Sequence, residues 1–102
     1  MASRLKLHEE FCEILGTRNV YFQSPGSPGM KYPCIKYSMS GMDNRHANNK
    51  LYKNMNRYEV IVIDYDPDGE IHKSILEHFP MCSYDRSYVA DNLNHHVLTL
   101  YY

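Results

Sequence analysis

Asp64, Asp66, Asp68 and Gly69 occupy the first, third, fifth and sixth positions of a calcium-binding EF-hand loop, within the stretch VIVIDYDPDGEI at residues 60–71. Alternating carboxylates of this kind offer hard oxygen ligands to a divalent cation, and Ile71 falls on the apolar eighth position. An EF-hand also needs a helix before the loop and a bidentate Glu at position twelve. Here a strand-like run comes first, position twelve is Ile75, Pro67 sits at position four, and the next Glu beyond position twelve is Glu77. The same residues suit a strand that enters a helix through an acidic turn. Asp66 or Asp68 would cap the helix, Pro67 favours its first turn, and acidic groups match the positive end of its dipole. A small calcium-binding module using Asp64, Asp66 and Asp68 is kept as an alternative reading.

His8 and Cys12 lie four apart in HEEFC, the spacing that places two zinc ligands on one helical face beside a Glu base. The second ligand is Cys where that motif has His, and no third ligand is placed. Packing at the margin of an apolar arc accounts for both residues. Cys12, Cys34 and Cys82 are odd in number and widely spaced, so they form neither a disulfide framework nor a zinc ribbon. They read as buried reduced thiols. His95 and His96 are neighbours in a strand and point to opposite faces, so they cannot serve one site. No Gly-x-Ser-x-Gly elbow, Gly-x-Gly-x-x-Gly turn or Walker loop is present. The expectation is a non-enzymatic protein without a cofactor.

Formal net charge is −1, which supplies no global field for nucleic acid or an anionic membrane. Ten tyrosines and no Trp suit half-buried strands and protein interfaces. No segment approaches the ~18 consecutive apolar residues of a membrane span. The N-terminus has no apolar signal core, so synthesis and use in cytosol are expected.

Placing these residues requires the elements. The 102 residues predict one domain, 1–102, large enough for a core. Residues 3–15 read as an amphipathic helix, with Leu7, Phe11, Ile14 and Leu15 on one arc and Gly16 as its stop. Val20, Tyr21 and Phe22 form a short strand. Two Pro-Gly pairs make residues 24–33 a loop. Residues 34–40 alternate as a half-buried strand. A longer strand covers 51–65, and its run 60–63 is apolar on both faces, as a central strand with packing on each side would be. Residues 70–79 predict a short helix, with Ile71, Ile75, Leu76 and Phe79 on one arc. A strand at 83–91 puts Tyr84, Arg86, Tyr88 and Ala90 on one face, Asn92–Asn94 turn, and 95–102 form the last strand. The fold class is α+β: a small, mostly antiparallel sheet with two helices packed on it, in the order α-β-β-β-α-β-β. A polar excursion at about 41–56 interrupts the pattern.

Tyr32-Pro33, Ile35, Tyr37, Tyr52, Arg57-Tyr58 and Val60, in that order across KYPCIKYSMS and NNKLYKNMNRYEVIVIDYDPDGEI, resemble the strand pattern of phage tail-terminator and tail-completion (head-tail joining) proteins. The resemblance implies a structural virion protein made in the host bacterial cytoplasm. It would assemble as a ring, usually of six, at the head-proximal end of the tail. Its partners would be its own copies, the tail-tube protein, and a neck or connector protein, with genomic DNA passing through the hole without sequence-specific binding. The ring ends tube polymerisation and joins tail to neck. A head-side neck protein, a stopper or adaptor, is the sibling alternative. Polarity without periodicity makes Asn44, Arg45, His46, Asn48, Asn49 and Lys50 the expected subunit or tube contacts, loosely held until the ring forms. Charge sign alone suggests that Asp64, Asp66 and Asp68 line the channel and repel DNA phosphates.

Overall fold

The computed structural model describes residues 4–23, 31–42, 56–66 and 68–102. Its elements run α1 (Arg4–Leu15), β1 (Val20–Phe22), β2 (Cys34–Met42), β3 (Asn56–Asp64), α2 (Ile71–His78), β4 (Cys82–Ala90) and β5 (Leu93–Tyr101). The strands make one sheet in the spatial order β1-β2-β3-β5-β4. β1 lies parallel to β2, and every other neighbouring pair is antiparallel. The class is α+β, as the sequence pattern predicts.

β3 takes the central position that its doubly apolar run requires. Val60 and Val62 face the helices and are closed off from water together with Ile35 and Tyr37 of β2 and Leu98 and Leu100 of β5. Leu7, Phe11 and Cys12 of α1, with Ile75 and Phe79 from α2 and its end, cover them. Ile63 points the other way and meets Cys34 and Leu93 in a smaller cluster. Both faces of β3 are therefore packed, but the helices sit on one face only. Ile14 and Leu15, expected in the core, are only partly buried. The helix stops just beyond them at Gly16, whose φ of 85° is the left-handed value that Gly tolerates.

Three boundaries differ from the sequence reading. The turn between the last two strands is Asp91-Asn92, with φ of 53° and 62°, and Ala90 pairs directly with Leu93. Two consecutive left-handed residues match the twist of a two-residue hairpin, and Asp and Asn accept that region better than Leu does. Leu93 thereby becomes a buried strand residue rather than the middle of a turn. Secondly, Tyr84 pairs with Leu98 but Arg86 pairs with Val97, so Asp85 is an extra residue in β4. This bulge resets the alternation. Tyr84 faces α2, while Arg86, Tyr88 and Ala90 face the opposite side; the four do not share one face. Thirdly, β2 extends to Met42, which pairs with Asn56. The polar excursion thus begins and ends in paired strand, and residues 43–55 lie outside the described residues.

Tyr37 sits where α1 meets the sheet. It is 1% exposed, and its ring lies 5.0 Å from Phe11, 5.0 Å from Phe22 and 6.0 Å from Tyr58. Its hydroxyl is 2.8 Å from His8 Nδ1. Replacing Tyr37 with Ala should cost about 3–5 kcal/mol, as for other buried aromatics. Tyr37→Phe, which keeps the ring and loses the hydrogen bond, should cost about 0.5–1.5 kcal/mol. Urea denaturation of the two variants measures both steps.

Candidate functional site

The acidic turn is built from local hydrogen bonds. Asp64 closes β3, and its Oδ1 accepts from the Asp66 amide at 3.2 Å. Asp66 Oδ1 accepts from the Asp68 amide at 2.9 Å. Neither Asp66 nor Asp68 caps α2. The residue at its N-cap is Glu70, which makes no side-chain cap bond. The Asp64 and Asp66 carboxylates are engaged in successive Asx turns, which fix the loop before the helix begins. Gly69 has a steric reason to be Gly: a Cβ there would press into the Asp64 carboxylate, which the Asx turn holds, and lie 3.2 Å from the Asp66 carbonyl oxygen. Among the described residues, no three His, Cys, Asp or Glu side chains converge in a metal-binding cluster. Asn44, Arg45, His46, Asn48, Asn49 and Lys50 lie outside the described residues.

At the far edge of the sheet, β4 has β5 on one side and no strand on the other among the described residues. Ser83 through Val89 are exposed without interruption. Val89 is 69% exposed, and Tyr84 and Tyr88 are also open to solvent. Tyr88 lies flat on His95, with centroids 4.7 Å apart and 14° between planes. On the helix side, His96 stacks on His72 at 3.9 Å and 14°. The Tyr84 hydroxyl is 3.2 Å from His96 Nδ1. His96 Nε2 is buried and meets no hydrogen-bond partner among the described residues. His95 and His96 do point to opposite faces, and each enters a different aromatic contact. The sequence reading missed the His72–His96–Tyr84 group, because His72 lies off the apolar arc of α2 and the Asp85 bulge hides the facing of Tyr84.

A third polar group lies where α1, the end of α2 and the end of β5 meet. Tyr102 donates its hydroxyl proton to Glu10 Oε2, and His78 Nε2 lies 2.9 Å from Glu10 Oε1. Together they border a cleft of about 370 Å³ with Lys6, Phe79, Pro80 and Met81. Partial burial works to raise the Glu10 pKa, but the bonds from Tyr102 and His78 and the charges of His78 and Lys6 outweigh it, and the net direction is down. Burial first, then the bond to Glu10, pushes the Tyr102 phenol up to about 12. Both oxygens of Glu10 are thus committed inside the fold.

The thiols are chemically quiet. Burial pushes Cys34 and Cys82 each up to about 11 and also raises Cys12, so all three stay protonated at neutral pH, and the thiolate is the reactive form. His8 and Cys12 hold the margin of the helix arc, His8 against the Tyr37 hydroxyl and Cys12 within the core cluster. Burial, followed by the charges of Arg4 and Arg18, lowers the His8 pKa. Compared with known proteins, the chain matches no family model, no curated protein and no solved structure.

Two outcomes follow from these geometries. Millimolar calcium should leave the melting temperature unmoved; a rise would reveal a ligand that binds only the folded chain. Tyr102→Phe should cost about 1–2 kcal/mol at neutral pH, since it removes a hydrogen bond to a carboxylate. The folded pKa of Glu10 is below its ordinary value of 4.5, so its contribution is complete above 4.5 and is lost as pH falls through the folded value. That acid-side loss should be smaller in Tyr102→Phe, as denaturation midpoints between neutral and acid pH would register.

Proposed function

We propose that this chain is a structural protein of a phage tail, a tail terminator or tail-completion protein that acts as a ring of six between tail tube and neck. The observation that carries the reading is the open edge of β4, a nine-residue strand whose residues Ser83 to Val89 all face solvent. Such an edge presents unpaired amides and carbonyls to a partner. The other side of the sheet differs. The three-residue β1 pairs with β2 from Val20–Ile35 to Phe22–Tyr37, and among the described residues no strand continues that pairing beyond Tyr37, where the Gln23 side chain accepts from the Met39 amide. Two unlike edges at opposite sides of one sheet suit the head-to-tail contacts that close into rings, whereas a two-fold dimer uses the same patch twice.

The rest of the molecule is in keeping with a part that works by shape. Its thiols are quiet, its Glu10 is internally satisfied, and its acidic turn is held by its own backbone. Asp66 and Asp68 are exposed at the sheet end that also carries the Asp91-Asn92 turn. In a ring with that end toward the hole, these charges keep DNA phosphates from adhering.

Native mass spectrometry of the chain mixed with tail tubes should show a species six times the 12.0 kDa chain mass. Val89→Lys, which sets a charge on the open edge, should remove that species and leave the fold and melting temperature unchanged within about 0.5 kcal/mol. A phage lacking the chain should make tails of uncontrolled length. Tails of normal length with detached heads would instead assign the chain to the head-side neck.

A further inference from the structure

The His72–His96 stack has a feature that the ring reading does not use. Two imidazoles lie face to face at 3.9 Å, between the first turn of α2 and the strand pair that ends in the open edge. Tyr84 reaches back from β4 to His96 Nδ1, and its ring stands 5.9 Å from His72. The contact therefore ties three elements together: α2 through His72, β5 through His96 and β4 through Tyr84. It holds when the rings are neutral. Charged His96 carries a proton at its buried Nε2, which meets no acceptor among the described residues, and protons on both rings set two positive charges in van der Waals contact.

We propose that the stack is a proton-sensitive clamp, which holds β4 and the first turn of α2 to the sheet at neutral pH and releases them in acid. This is a property of the free chain, and it stands whether or not β4 is a ring contact. β3 contributes Asp64, which favours a charged ring on both His72 and His96. Glu70, before α2, also favours charge on His72, while Lys73 on α2 opposes it. β5 contributes His95, which opposes charge on His96. β4 contributes the Tyr84 hydroxyl and ring. Burial is the largest influence on each ring, and the net direction is down from 6.5 for both.

Above 6.5 both rings are neutral whether the clamp is closed or open, so the clamp is at full strength. As pH falls through 6.5, an opened ring in water takes up a proton that the closed ring resists, and opening gains. Each ring that gains a proton on opening multiplies the opening constant by up to about tenfold per pH unit.

Hydrogen exchange of the full chain at pH 7.5 and 5.5, corrected for the intrinsic pH dependence of exchange, tests this. The hydrogen-bonded amides of residues 74–76 and 83–88 should lose protection with that slope, while those of β2 and β3 hold theirs. His72→Phe keeps a flat ring in the stack and removes one titrating group, so its slope should fall by about one proton. His8→Gln should leave the slope of these segments unchanged. Proton NMR titration of the unmodified chain gives a second reading that needs no variant. Midpoints for His72 and His96 below 6.5 support the clamp. Midpoints at or above 6.5, a flat exchange profile, or an identical slope in His72→Phe would overturn it.

Discussion

Tyr37 is the residue on which the helix side of the fold turns. A buried phenol costs free energy unless its hydroxyl finds a partner, and here the partner is His8 on α1. The Arg4 side chain, also on α1, bonds the same phenol, so these contacts and the buried arc of Leu7 and Phe11 together set how α1 lies over the sheet. The same ring then receives Phe11 edge-on and lies against Phe22 of β1, so helix, edge strand and central strands share one aromatic joint. Burial raises the Tyr37 pKa and lowers that of His8, which keeps both neutral and their bond intact around neutral pH.

Much of the sheet was legible in the sequence, and the reasons are physical. The run Val60 to Ile63 has apolar residues on both faces, and only a central strand can bury both. Leu7 and Phe11 repeat at helical spacing and are the fully buried residues of α1. Pro80 and Gly16 mark helix ends that the structure keeps. The sheet order was less accessible, because β5 inserts between β3 and β4, and nothing in local periodicity states which strands become neighbours.

Other features were hidden for reasons that can be named. A bulge leaves no mark in the alternation of residue types, so Tyr84, Arg86 and Tyr88 read as one face, whereas the pairing with β5 sets Tyr84 apart from the other two. The turn at Asp91-Asn92 was displaced in the reading by Asn94, an equally good turn residue by type. Asn94 instead spends its side-chain amide on the carbonyls of Asp64 and Tyr65, which ties the last strand to the acidic turn. The acidic triplet mimicked a calcium loop because Asx turns and cation sites both favour short carboxylates at alternate positions. The candidate contacts at residues 44–50 rested on polarity alone, which says that a segment is not core and does not say what it touches.

The Asp85 bulge divides β4 into two stretches with different obligations. Residues before it answer to the helix side of the sheet, where Cys82 packs against the core and Tyr84 touches His72. Beyond it the alternation resumes in the other phase: Arg86, Tyr88 and Ala90 take the outer face, opposite Val97, His95 and Leu93, while Ser87 and Val89 take the helix side. Without the extra residue, Arg86 and Tyr88 would follow Tyr84 onto the helix side and bring a charge and a second phenol toward α2. A single inserted residue thus keeps one tyrosine for the helices and turns the next to the opposite face of the sheet.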